Sequence, residues 1–366
     1  MKIISSKELL VNAINIVQKA VSTKNNVTLL DGILLEAGKI FKMTGNDLEI
    51  GIECIVPADI RKEGSIVINS KIFGDIIKKM PDSEIMIELI DNNDVLIESE
   101  NSHFKIKGNS SDDYPLIPEI EAERSFKLSQ KIAKDMIRQT IFSVGDDENR
   151  EILTGSLIES DEDKLVFVAI DGHRMAMRKT YNGVQNTNFR VVVPGKTLNE
   201  ISKILDAEDS EIEIFTSKNQ ILFKIDNCKV MSRLLEGEYL NYKSIIPDEN
   251  ETKIRLKTKE LLSSMERAAL ISINEKKYPV RFDIEDDILV ISSSTEIGNV
   301  RDEISIDVEG KNMTIGFNPK YFLEALRVID DEVVDIYFNS DIGPCTIKPI
   351  ETDEFAYMIL PVRIKS

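Results

Sequence analysis

Ser70-Lys71-Ile72-Phe73-Gly74-Asp75-Ile76-Ile77 returns as Gly195-Lys196-Thr197-Leu198-Asn199-Glu200-Ile201 and again as Pro319-Lys320-Tyr321-Phe322-Leu323-Glu324-Ala325-Leu326. The three lysines stand 125 and 124 residues apart, far beyond solenoid periods, which implies three large copies of one unit. Each copy follows a strand-like stretch, at 65–68, 189–193 and 313–317, and each leads to another, at 84–89, 211–215 and 333–338. The local unit is therefore strand, short helix, strand. An earlier helix also recurs, over 6–21, 130–142 and 259–271, with apolar residues at i, i+3, i+4 and i+7, as in Leu10, Ala13, Ile14 and Val17. Short runs rich in Ile, Val and Phe between Gly, Asn and Asp turn signals, such as 29–35, 221–225 and 288–292, predict antiparallel strands.

Loops carrying a tyrosine, Asp112-Asp113-Tyr114-Pro115 and Glu236-Gly237-Glu238-Tyr239, close the first two copies near Pro118 and Pro247. The fold class expected is α+β, with three similar domains over 1–120, 121–250 and 251–366, each holding two helices and antiparallel sheets. Hydrophobic residues at 42% and charged residues at 30% are globular values and exclude a disordered chain. The longest apolar runs, such as 166–170 and 288–291, fall far short of the ~20 residues that span a bilayer, and 1–11 lacks a signal-peptide core. A soluble, cytoplasmic protein is expected. Cys54, Cys228 and Cys345 lie far apart with no C-x-x-C pair, so they read as buried or incidental thiols rather than a disulfide framework or a metal site.

The net charge of −18 argues, as a bulk property, against nucleic acid. Its distribution argues otherwise. The six predicted helices, taken as 5–22, 70–80, 129–142, 195–205, 257–271 and 319–329, carry 15 cations and 7 anions, a surplus of +8 that leaves −26 on the remainder. If those helices share a face, it attracts a polyanion while the acidic remainder repels it, giving sequence-independent contact with phosphates. Lys71, Lys196 and Lys320 each open a helix, where a cation is electrostatically unfavourable. The repetition of that choice hints at a phosphate partner, although plain helix-start lysines are the simpler alternative.

Catalytic signatures are missing: no phosphate-binding glycine loop, nucleophile elbow or zinc-protease motif occurs, and His103 and His173 are the only histidines. Asp171-Gly172-His173-Arg174 could orient a carboxylate and an imidazole for base catalysis in a hydrolase or transferase. A turn with a hydrogen-bonded Asp is the simpler explanation, since no nucleophile or metal ligand accompanies the pair. Met358-Ile359-Leu360-Pro361-Val362 predicts a final edge strand limited by Pro361, or one wall of a peptide groove. A third reading is an acidic scaffold that never touches DNA.

Taken in order, Thr44-Gly45-Asn46-Asp47-Leu48-Glu49, Ala169-Ile170-Asp171-Gly172-His173-Arg174-Met175-Ala176, Val193-Pro194-Gly195-Lys196, Arg267-Ala268-Ala269-Leu270-Ile271 and Tyr357-Met358-Ile359-Leu360-Pro361-Val362-Arg363 carry a resemblance over essentially the whole chain. The sequence resembles the bacterial replicative sliding clamp, the beta subunit of DNA polymerase III. The resemblance implies DNA-clamp architecture: a ring-shaped, head-to-tail homodimer with helices around a central hole and no cofactor or metal. It implies sequence-independent contact with duplex DNA through Lys24, Lys71, Arg150, Lys196 and Lys320. It also implies a pocket for short peptides of Q-L-x-L-F type, formed by Leu153, Ile170, Gly172, His173, Arg174, Met175, Leu240, Ser244, Ile245, Met358, Ile359, Leu360, Pro361, Val362 and Arg363. Ile170, Leu240 and Ser244 depart from the commonest family pattern, in which a threonine, a proline and an arginine stand at those places. Implied partners are the DNA polymerase III alpha subunit, the clamp loader delta subunit, and other polymerases and repair proteins carrying such peptides. The implied dimer contact sets Phe104 and Ile106 against Leu270 and Ile271, with Lys71, His103, Lys105 and Lys107 facing Glu296, Asp302 and Glu303.

Overall fold

The computed structural model describes residues 1–21, 28–161, 164–181, 188–206, 210–247, 249–272 and 279–364. Six α-helices occur among them: α1 (Lys7–Val17), α2 (Ser70–Lys79), α3 (Gln130–Arg138), α4 (Gly195–Ser202), α5 (Thr258–Ser272) and α6 (Pro319–Leu326). Each begins where a strand ends, and side-chain caps mark the junction in α1, α2 and α6. There Ser6, Asn69 and Asn318 accept from the amides of Leu9, Ile72 and Lys320. α1 buries Leu10, Ala13, Ile14 and Val17, the stripe its spacing predicts.

Some helices are shorter than their periodicity suggests. α3 stops at Arg138 rather than running to 142, because the Thr140 hydroxyl donates back to the Met136 carbonyl at 2.7 Å and the chain tightens into a 3₁₀ turn at Ile141–Ser143. α1 likewise gives way to a 3₁₀ turn at Gln18–Ala20. The strand expected from residue 29 starts at Gly32, behind a 3₁₀ turn over Thr28–Asp31.

The chain forms two compact units, Met1–Lys131 with Glu200–Leu234, and Ile132–Asn199 with Leu235–Ser366. In the first, a five-stranded sheet runs Asp59–Lys62, Lys2–Ser6, Glu84–Leu89, Asp94–Ser99, Ser102–Lys107. An eight-stranded sheet in the same unit runs Arg124–Ser129, Glu211–Thr216, Gln220–Ile225, Cys228–Arg233, Ile50–Val56, Phe41–Asn46, Gly32–Ala37, Gly64–Asn69. That sheet joins the first sequence repeat to part of the second. Its joining strands contain a disulfide between Cys54 and Cys228, which corrects the expectation of three unpaired thiols. The two cysteines are 174 residues apart, and only the long-range strand register makes them neighbours.

In the second unit a nine-stranded sheet runs Phe189–Pro194, Gly155–Asp161, Lys164–Ile170, Arg174–Thr180, Phe355–Ile359, Cys345–Lys348, Val333–Phe338, Thr252–Lys257, Asp307–Gly310. A four-stranded sheet runs Gly298–Ser305, Ile288–Thr295, Val280–Glu285, Met313–Phe317. Phe355–Ile359 lies inside the nine-stranded sheet, paired on both sides, so the expected final edge strand is not an edge. The strand ends at Ile359, and Leu360, Pro361 and Val362 leave it. Phe282, Phe317 and Phe322, with ring centres 4.9–5.4 Å apart, anchor the core under α5 and α6. Each buried ring contributes about 1.5–3 kcal/mol of apolar burial.

Candidate functional site

In the second unit a cavity of about 450 Å³ opens between the 144–153 segment, the 171–174 turn, the start of α6 and Val362. Its floor is Arg174, whose side chain is only 7% exposed. A buried guanidinium must have every donor matched, and here the partners converge from three elements. Nε donates to Asp171 at 2.9 Å, one terminal nitrogen pairs with Glu324 on α6, and the other donates to the Phe142 carbonyl. The guanidinium carbon also lies 4.7 Å from the centre of the Tyr321 ring and 5.4 Å from that of Phe142.

The local sequence explains the turn that presents these groups. Asp171 accepts from the amides of His173 at 2.8 Å and Arg174 at 3.0 Å, and Gly172, between Asp171 and His173, has φ +93°, a conformation costly for residues with a side chain. A side chain at Gly172 would also meet the Arg150 guanidinium at 2.9 Å. His173 is left exposed with its ring stacked on Tyr321, centres 6.0 Å apart at 16°. Its carbonyl accepts from the Leu360 amide at 2.9 Å, which brings the chain end to the rim. On the opposite wall Asp147 accepts from the Asn149 side chain and backbone and from Arg150, which holds its carboxyl below the ordinary range. Tyr321 is pushed up by burial and by the nearby Asp171 carboxylate.

Among the residues anticipated for a peptide pocket, the structure brings Leu153, His173, Arg174 and Val362 to this cavity. Ile170, Met175 and Met358 are buried in the apolar cluster that also holds Leu153, with Ile245 packed against it, so they support the cavity from behind. Ile359 belongs to the core under α5 and α6. Leu360 and Arg363 are exposed and Pro361 is half-buried, all beyond the last strand. Leu240 is exposed, and the Ser244 hydroxyl bonds the Asn241 carbonyl; neither lines the cavity.

Sequence reasoning missed Tyr321, Asn318, Pro319 and the 144–147 wall. The signal for Tyr321 was available in the repeat itself. An aromatic stands there, while the other two copies carry Ile72 and Thr197.

Of the lysines and arginine anticipated for DNA, Lys24 lies outside the described residues. Lys71 and Lys196 are exposed near the starts of α2 and α4. Arg150 and Lys320 line the cavity, where Arg150 pairs with Asp147 at 3.1 Å and Lys320 stands 4.0 Å from Glu324. The anticipated dimer contacts sit on one edge strand and on a helix packed beside another. Phe104 and Ile106 are on Ser102–Lys107, the last strand of the five-stranded sheet, with Phe104 41% exposed. Leu270 and Ile271 are on α5, which packs on Ile288–Thr295 and on the edge strand Gly298–Ser305, and is tied to that edge by Arg267 bonding Asp302 at 2.8 Å. Leu270 is 80% exposed, whereas Ile271 is half-buried. Among the described residues no cluster of three metal-ligating side chains occurs, and no helix is long and apolar enough to cross a membrane.

Three consecutive family matches tile the chain. The families described as DNA polymerase III beta subunit, N-terminal domain, central domain and C-terminal domain match residues 1–118, 127–241 and 243–363. The beta sliding clamp of Halalkalibacterium halodurans is 37% identical over 378 residues, spanning 99% of this chain and 100% of that protein. The crystal structure of the DNA polymerase sliding clamp from Bacillus subtilis superposes with a TM-score of 0.96 at 34% identity, covering 100% of both chains. That of the beta subunit from the DNA polymerase of Streptococcus pyogenes gives 0.95 at 33%, also covering 100% of both.

Proposed function

This chain belongs to the DNA polymerase III beta-subunit family, the beta sliding clamps, and from that premise we propose how its own residues hold DNA, a second copy and client peptides. It is a non-enzymatic processivity factor of DNA replication. Two copies close head to tail around duplex DNA, each contributing three domains with boundaries near 120 and 250. The exposed Lys71 and Lys196, with Lys24, meet the phosphate backbone, and because such contacts carry little sequence information the ring slides. Phe104 and Ile106 on one open edge meet Leu270, with Ile271 behind it, at the other.

Client peptides of Q-L-x-L-F type enter the cavity above Arg174. The observation that carries this assignment is the floor itself: a guanidinium bonded through all three nitrogens, with Tyr321 over it and His173 stacked on Tyr321, walled by Leu153 and Val362. Such a surface sets the aromatic and aliphatic contacts of Tyr321, Leu153 and Val362 within a largely polar lining, so apolar anchors and a polar glutamine of one peptide each find matching groups. The clients proposed are the polymerase III alpha subunit, the clamp loader delta subunit and other polymerases and repair proteins, all in the cytoplasm. Fluorescence polarisation with a labelled Q-L-x-L-F peptide tests the site: saturable binding that Tyr321→Ala weakens by roughly thirtyfold supports it. Binding of equal strength in that variant places the peptide elsewhere.

The Asp171 and His173 pair does not support hydrolase or transferase chemistry. Both Asp171 oxygens are committed to Arg174 and to backbone amides, while the imidazole stacks on Tyr321.

A further inference from the structure

Within the eight-stranded sheet, four strands from the first repeat meet four from the second along one seam, Ile50–Val56 against Cys228–Arg233. The register sets Ile50 opposite Ser232, Ile52 opposite Val230 and Cys54 opposite Cys228. At one end the Arg233 amide donates to the Glu49 carbonyl at 3.1 Å, and at the other the Ile55 amide donates to the Asn227 carbonyl at 2.9 Å. The Asn227 side chain returns a bond to the Ile55 carbonyl at 2.5 Å, and Lys229 pairs with Glu53 at 3.8 Å. One covalent link joins this ladder, the bond between the sulfurs of Cys54 and Cys228, and it closes a loop of 174 residues. Cys54 is 0% exposed and Cys228 3%.

We propose that Cys54 and Cys228 form a reversible redox staple across this seam, closed by exchange with small-molecule disulfides and then shielded by the seam it holds. In the first step the thiolate of one cysteine attacks a sulfur of RSSR, forming a mixed disulfide and releasing one RSH after protonation. In the second, the thiolate of the other cysteine attacks the protein sulfur of that mixed disulfide, forming the Cys54–Cys228 bond and releasing a second RSH. Two protein thiols are oxidised and one RSSR is reduced. Reductant reverses the same two steps.

Burial makes the staple respond to motion. No external thiol or disulfide reaches sulfurs this enclosed while the strands are paired, so both closure and reduction proceed through transient local opening of the seam. Once formed, the bond confines the long loop and removes most of the open conformations from which it could be reduced. In a cytoplasm that keeps accessible thiols reduced, that shielding lets the bond outlast the oxidant that formed it. Cys345 is the internal reference: it is buried in the other unit, burial pushes its thiol up, and it is unpaired.

The test uses the full chain, incubated overnight with oxidised glutathione or with excess dithiothreitol, then denatured in iodoacetamide and weighed. The expected result is one carbamidomethyl group after oxidation, on Cys345, and three after reduction. Three after both treatments overturns the proposal. Hydrogen exchange supplies the second readout: amides of 50–56 and 228–233 should exchange at least tenfold more slowly in the oxidised protein. Equal rates overturn the stapling role even if the bond forms. In Cys54→Ser the oxidant should change neither the seam's exchange nor the Cys345 adduct. Should that variant fail to fold, the mass measurement on the unaltered chain still decides.

Discussion

Replacing Leu270 with alanine should weaken dimerisation about a thousandfold while leaving the isolated chain's stability almost unchanged. Leu270 is 80% exposed on α5, beside the open edge Gly298–Ser305, so nearly all its apolar surface is available to a partner. Truncation to alanine removes three carbons, each worth about 0.8 kcal/mol when buried. That gives roughly 2 kcal/mol at one interface. A closed head-to-tail dimer has two identical interfaces, so the ring is weakened by about 4 kcal/mol, close to three decades in its dissociation constant. The single substitution is more informative than adding Ile271→Ala, because Ile271 is half-buried and its truncation would also loosen α5. Sedimentation velocity over a concentration series measures the constant, and thermal unfolding of the monomer provides the control. An unchanged constant would refute the placement of Leu270 at the interface. A large fall in melting temperature would show that its effect lies in the fold.

Four further outcomes follow from the same geometry. Tyr321→Ala should lower affinity for a Q-L-x-L-F peptide by about 2 kcal/mol, roughly thirtyfold, as read by fluorescence polarisation. Arg174→Met should destabilise the second unit by about 3–5 kcal/mol in urea unfolding, because it leaves the Asp171 and Glu324 carboxylates without their buried cation. Lys71→Glu with Lys196→Glu should shorten retention on nicked circular DNA and flatten the salt dependence, the log–log slope falling by about 0.9 for each phosphate no longer neutralised. Asp94 bonds Lys107 and Lys105, which hold its carboxyl below the ordinary range, so its contribution is present above about pH 4 and lost as pH falls through the lowered value. Asp94→Asn should therefore remove part of the acid sensitivity seen in a melting-temperature profile from pH 7 to pH 2.

Local pattern revealed the elements and hid their neighbours. The helices were legible because their stripes are short-range: Leu10, Ala13, Ile14 and Val17 share a face wherever α1 packs. Strand partners depend on register between distant segments, which alternation within one strand does not encode. The Cys54–Cys228 bond was invisible for that reason, as was the sharing of sheets between repeats. The last strand was misplaced because position near the chain end and Pro361 suggested an edge. Phe-Ala-Tyr-Met-Ile, buried at all five positions, is instead the uninterrupted apolar run of a strand covered on both faces. In the cavity, the 171–174 cluster stood out by composition, but part of the wall came from the start of α6, where Tyr321 was hidden inside a repeated motif.

The same four residues that suggest acid–base catalysis argue for the proposed role of this cavity in binding rather than in reaction. A general base needs a free lone pair aimed at a substrate proton, yet Asp171 commits its oxygens to two amides and the Arg174 side chain. That commitment makes Arg174 rigid, and Arg174 in turn fixes Glu324 at the first turns of α6 and the ring of Tyr321 above it. Rigid anchors reduce the ordering entropy that an incoming peptide must overcome, so affinity comes from a preformed surface. A charged cluster consumed by its own neighbours therefore fits the proposed scaffold for recognition better than a reaction centre.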